Sequence, residues 1–119
     1  MMYQDLPSAA ASPFAARAFV LEVLADCPES VVTTAELLTS ELVTNAVTHG
    51  APPIHLAVKV DPGVVTVSVT DGSSAPPVMR DLHATDSHGR GLRIVEALAS
   101  QWGHTGHKVG KTVWCSLRY

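Results

Sequence analysis

Two valine-bearing segments joined by a tight turn constrain this chain more than any other feature. Ile54 to Val60 and Val64 to Asp71 flank Asp61-Pro62-Gly63, and the second segment alternates as Val65, Val67 and Val69. Side chains of a strand point to its two faces in turn, so this spacing predicts an antiparallel hairpin with one apolar face. Such a face must be covered by another layer. The same alternation carries Asp71 to the apolar side, level with the valines and beneath whatever covers them. A carboxylate there needs a hydrogen-bond donor, because burying an unpaired ionised acid is costly. The residues leave two sources open. One is the backbone of the following Gly72-Ser73-Ser74 turn, and the other is an amine brought by a ligand, such as the exocyclic amine of adenine.

The rest of the chain supplies the covering layer. From Ser12 to Ala25, Phe14, Ala18, Leu21 and Ala25 recur at helical spacing, with Ser12 as a cap and Pro13 in the first turn. A second helix is expected from about Ser30 to His49, stopped by Gly50 and Pro52-Pro53. A third is expected over Gly91 to Ser100, with Leu92, Val95 and Ala99 on one face. Two closing strands, near Gln101 to Thr105 and Lys111 to Arg118, complete the order α, α, β, β, α, β, β. That order predicts an α+β fold in two layers, with three helices on one face of a mostly antiparallel sheet. The aperiodic stretch Gly72 to His88 is long for a passive connection and suits a lid or binding loop.

Composition narrows the partners. With 119 residues, 46% of them hydrophobic, the chain is expected to form one domain, residues 1–119, with a core of its own. A net charge of -3 without a run of Lys or Arg argues against a nucleic-acid surface. No apolar stretch has the length of a membrane span and Met1 to Pro7 does not resemble a leader, so a cytoplasmic location is expected. Cys27 and Cys115 lack metal-site or disulfide spacing and are expected as reduced thiols.

Candidate chemistry begins on the second helix. Glu41 and Asn45 are four residues apart and share a side, at the margin of the apolar stripe Val31, Ala35, Leu38, Leu42 and Ala46. A carboxamide oxygen is a hard neutral ligand suited to magnesium, and a nearby carboxylate can take a proton from a nucleophile. A solvated helix face has the same pattern. Further on, His88-Gly89-Arg90-Gly91-Leu92 opens a helix with little side-chain bulk, so backbone amides and Arg90 could meet phosphate, although short glycine turns also occur without ligands. His49 suits the end of a helix dipole, His104 and His107 define no zinc set, and Trp102 and Trp114 suit core or cross-strand positions.

Taken in order, these segments resemble the GHKL ATPases, the superfamily of the gyrase, Hsp90, histidine kinase and MutL ATP-binding domains. Ser40-Glu41-Leu42-Val43-Thr44-Asn45-Ala46 is similar to the N box, Val69-Thr70-Asp71 with its loop to the G1 box, and Gly89-Arg90-Gly91-Leu92-Arg93-Ile94-Val95 to the G2 box. Gly110-Lys111-Thr112-Val113-Trp114 is similar to the last strand of that fold. Small size and the form of the boxes most resemble the anti-sigma factor serine/threonine kinases of partner-switching systems, of SpoIIAB or RsbW type.

The resemblance implies the Bergerat fold and ATP with Mg2+ as ligands. It makes Glu41 the general base, Asn45 the magnesium ligand and Asp71 the group that recognises adenine, with Ser73 beside the base. Gly89, Arg90, Gly91 and Leu92 would embrace the phosphates, and Thr112 would support the adenine end. It also implies a sigma factor and an anti-anti-sigma protein of STAS type as partners, ADP as product and a homodimer as the usual assembly. The loop departs from the family's Asp-x-Gly-x-Gly, reading Asp71-Gly72-Ser73-Ser74-Ala75. Two other readings stay open: a nucleotide-binding switch without kinase turnover, and a detached ATPase domain of histidine kinase type.

Overall fold

A computed structural model describes residues 1–75 and 94–119. The chain opens with strand β1 (Met2–Leu6), followed by helices α1 (Ser12–Val23) and α2 (Glu29–His49). Strands β2 (Ile54–Asp61) and β3 (Val64–Asp71) form the hairpin. Asp61 pairs with Val64, which leaves Pro62 and Gly63 as the loop, and Gly63 supplies the positive φ of 76° that a side chain would resist. A short helical stretch, α3 (94–98), precedes β4 (Gln101–His107) and β5 (Gly110–Arg118). The strands lie in the order β1-β2-β3-β5-β4, each antiparallel to its neighbours. This is the expected α+β architecture, with helices over one face of the sheet. Among the described residues, no helix is long and apolar enough to cross a membrane.

The hairpin and α2 behave as their periodicity requires. Val65, Val67 and Val69 are buried, alternating with half-exposed neighbours. On α2 the stripe Val31, Ala35, Leu38, Leu42 and Ala46 is buried as a unit and packs on the sheet. Each such aliphatic side chain contributes about 1.5–3 kcal/mol on burial. Gly50 ends the helix, its N–H bonded to the Ala46 carbonyl at 2.9 Å.

Three features depart from the sequence reading. In α1 the inward face is Ala16, Val20 and Leu24, whereas Phe14 and Leu21 are 70% and 50% exposed. The helix is apolar around most of its girth, so two stripes read equally well. The one carrying small Ala16 and Val20 is inward, where α1 meets α2 and the sheet. Ser12 is not a helix cap: Ala11 holds that position, and the Ser12 hydroxyl donates instead to the Pro7 carbonyl. Strand β1 is a further addition. It pairs with β2 along Met2 to Leu6, yet buries only Leu6, so it shows no alternation in the sequence. As an edge strand it is held by backbone pairing more than by side chains.

The face assignment can be checked by unfolding in urea. Leu42→Ala, at a fully buried position, is expected to cost about 2–5 kcal/mol. Leu21→Ala, on the face that periodicity favoured, is expected to stay within about 0.5 kcal/mol of wild type. A comparable loss for both would return Leu21 to the core.

Candidate functional site

The site forms where the C-terminal half of α2 meets the end of β3 and the start of β5. Burial of the α2 stripe fixes the rotation of that helix, and with it the positions of Glu41 and Asn45 about one turn apart, about 6 Å along the axis. Glu41 is half-buried and engaged in an interaction, and Asn45 is only 6% exposed. Among the described residues the Asn45 amide makes no hydrogen bond. The buried side-chain atom without a partner among the described residues is Thr39 Oγ1, whereas the Asn45 amide sits at the edge of the core with its hydrogen-bonding capacity open to an incoming ligand atom. Next to Glu41, the Ser40 hydroxyl accepts from Arg17 Nη1 of α1 at 3.2 Å.

Asp71 ends β3 on the buried face, as the alternation requires, and is 3% exposed. Its donors come from the protein. The N–H of Ser73 donates to Asp71 Oδ1 at 2.8 Å, closing a turn of the kind short acidic side chains favour. The ammonium of Lys111 lies 3.1 Å from Oδ1 and 3.0 Å from Oδ2. Both side chains of this ion pair are nearly buried, 4% exposed for Lys111 and 2% for Asp71. The pair follows from register, because Asp71 stands directly opposite Lys111 across β3 and β5.

Three backbone approaches shape the carboxylate's surroundings. A Cβ on Gly50 would sit 2.6 Å from Asp71 Oδ2, and one on Gly110 would sit 2.3 Å from the Asp71 carbonyl oxygen. A Cβ on Gly72 would sit 2.4 Å from the Pro52 carbonyl, and the Gly72 N–H donates to the Ala51 carbonyl at 2.7 Å. The loop after α2 and the loop after β3 are therefore in direct backbone contact, which a side chain at any of these glycines would prevent.

Of the residues expected to act together, the structure places Glu41 and Asn45 on α2, and Asp71 and Ser73 at the end of β3. Gly89, Arg90, Gly91 and Leu92 lie outside the described residues. Thr112 is not brought to Asp71. It pairs with Thr70 on the opposite face of the sheet, with the two hydroxyls 2.8 Å apart and Nε2 of His107 2.8 Å from Thr112 Oγ1. A shift of one residue along a strand reverses the face, so the residue beside Asp71 is Lys111. The sequence reading missed Lys111, although it held the signal: a buried acid that needs a donor, and a cation in a strand able to pair with it.

No cluster of three or more His, Cys, Asp or Glu side chains that could hold a metal occurs among the described residues. Both cysteines are free thiols. Burial pushes that of Cys115 up to about 12, so it stays protonated and inert at neutral pH.

This arrangement has relatives. The histidine kinase-like ATPase domain family matches residues 6–117, and the chain belongs to it. Its fold is similar to that of the RsbU and RsbW domains of Rv1364c from Mycobacterium tuberculosis, with a TM-score of 0.73 and 23% identity over 99% of this chain. It is also similar to the histidine kinase domain of the blue-light activated histidine kinase EL346 from Erythrobacter litoralis, with a TM-score of 0.58 and 19% identity over 91% of this chain. A third likeness is to the histidine kinase AdeS of Acinetobacter baumannii, with a TM-score of 0.57 and 15% identity over 99% of this chain. The chain spans 32%, 59% and 68% of the lengths of those three chains. No curated protein sequence matches it.

The ion pair gives a stability test. Asp71→Ala leaves the Lys111 ammonium buried and unpaired, and is expected to cost about 3–5 kcal/mol in urea unfolding. The double variant Asp71→Leu, Lys111→Met removes both charges and should recover most of that loss. Equal destabilisation by the single and double variants would mean that the charges are not paired in solution.

Proposed function

We propose that this chain binds ATP with magnesium and acts as an anti-sigma factor that phosphorylates a serine or threonine of an anti-anti-sigma protein of STAS type. The observation that carries the nucleotide reading is Asn45: a nearly buried carboxamide, without a hydrogen bond among the described residues and one turn from a carboxylate. Membership of an ATPase domain family supports it, and likeness to a structure containing an RsbW domain supports the choice of partner class.

In this reading the sites run in order along α2. Asp71, against Gly50 at the helix end, meets the base; Asn45, about 7.5 Å back along the axis, meets the metal; Glu41, a further turn back, meets the nucleophile. Magnesium held by Asn45 would neutralise charge on the phosphates. Glu41 accepts the proton of the attacking hydroxyl as its oxygen bonds to the γ-phosphorus and the bond to the bridging oxygen breaks, releasing ADP. Gly89, Arg90, Gly91 and Leu92 complete the phosphate end by resemblance alone.

A second reading, a nucleotide-dependent switch without turnover, is favoured by the loop after Asp71. Ser73 and Ala75 stand where the resembled motif has glycine, and the Ala75 N–H donates to Ser73 Oγ at 3.3 Å, so the loop is tied to itself. A detached ATPase domain of histidine kinase type is favoured by likeness to the two histidine kinase structures.

Incubation with γ-labelled ATP, magnesium and candidate anti-anti-sigma proteins separates these readings. Serine or threonine labelling is expected, and Glu41→Ala should reduce it about 10²–10⁴-fold while ATP affinity stays within about threefold. ATP binding without labelling would leave the switch. Labelling of a histidine would leave the histidine kinase relative.

A further inference from the structure

The Asp71–Lys111 pair has hydrogen-bonding capacity left over, and what remains has a definite pattern. An ionised carboxylate offers about four acceptor sites and an ammonium three donors. Oδ1 receives the Ser73 N–H and an ammonium proton, and Oδ2 lies within ion-pair distance of the same ammonium. Acceptor capacity on Oδ2 and donor capacity on Nζ remain without a hydrogen-bond partner among the described residues, on atoms 3.0 Å apart. A fixed acceptor beside a fixed donor complements a planar edge that offers a donor beside an acceptor. The amine of adenine with the ring nitrogen next to it is such an edge.

We propose, resting on the nucleotide reading above, that Lys111 is a second base-reading residue: its ammonium donates to the ring nitrogen flanking the amine while Asp71 Oδ2 accepts from the amine. Two features fit this role better than a purely structural ion pair. Gly50 brings its backbone against the Asp71 carboxylate and Gly110 against the Asp71 main-chain carbonyl, each close enough that a Cβ would collide, which fixes the residue in place. Lys111 is held in turn by both carboxylate oxygens, so its free proton is pre-aimed, with little side-chain entropy left to lose on binding. A carboxylate alone tests only for an amine, whereas the pair tests for an amine and an adjacent ring acceptor together.

Binding of ATP, 1-deaza-ATP, 7-deaza-ATP and GTP to the full chain, measured by calorimetry, tests the assignment. Each deaza analogue replaces one ring nitrogen flanking the amine by C–H. One of them is expected to bind wild type about 10–100-fold more weakly than ATP, the range for a hydrogen bond to a charged group, and GTP more weakly still. That preference should vanish in Lys111→Met and persist in Lys111→Arg, which keeps the charge and the pairing. Equal affinity of wild type for ATP and both deaza analogues would overturn the role of Lys111, and this comparison does not depend on any variant folding. So would a preference that survives in Lys111→Met, or GTP bound as tightly as ATP. No binding of ATP to wild type at millimolar concentration would instead overturn the nucleotide reading itself.

Discussion

The packing of α2 on the buried face of β3 holds both the core and the site. Val65, Val67 and Val69 present one apolar surface, and Leu38, Leu42 and Ala46 bury it. At about 25 cal/mol per Å2 of apolar surface removed from water, this contact fixes the rotation and height of the helix. Its consequences continue past the last hydrophobic residue. The strand that buries three valines next buries Asp71, and the helix that buries Ala46 next brings Gly50 against that carboxylate. Core and site are successive residues on the same two elements, so neither can move without the other.

At the site end, the dominant cost is desolvation. Two ions taken out of water lose several kcal/mol each, and they stay charged only if attraction and hydrogen bonds offset the loss. Here the carboxylate receives a hydrogen bond from Lys111, whose ammonium lies close to both oxygens, and one from the Ser73 backbone, and the opposing register of β3 and β5 leaves little freedom in how the two charges meet. Because the pair is satisfied by the protein, burial of Asp71 does not by itself demand a ligand. At the other end the Asn45 amide makes no hydrogen bond among the described residues.

What was legible in the sequence follows from how sharply each residue's environment was determined. The β2–β3 hairpin alternates strictly around a Pro-Gly turn, and the α2 stripe from Val31 to Ala46 repeats over about four turns, so both were readable, as was the burial of Asp71. In α1 the apolar residues surround the helix, and only contact with α2 and the sheet selects Ala16, Val20 and Leu24 over Phe14 and Leu21. Strand β1 exposes almost everything it carries, and pairing to β2 is a long-range property that Met2 to Leu6 do not announce. The confusion of Thr112 with Lys111 is of the same kind: motif likeness located the strand to within one residue, and one residue decides the face.

On the proposed nucleotide reading, the two ends of the candidate site therefore differ in what binding would require of them. At the base end, Asp71, Lys111 and Ser73 are already joined, and a ligand adds bonds to a set whose desolvation has been met in folding. Little reorganisation is needed there, which favours selectivity over large gains in affinity. At the proposed metal end, the Asn45 amide makes no hydrogen bond among the described residues, so a ligand atom there gains a new bond instead of joining an existing set. Affinity is thus expected to be concentrated on the phosphate and metal side, and discrimination on the base side. Glu41, half-buried on the turn beyond Asn45, stands at the end where the stronger contacts hold the reacting group. A small domain gains from this division, because the same helix that closes its core also aligns the group it would react with.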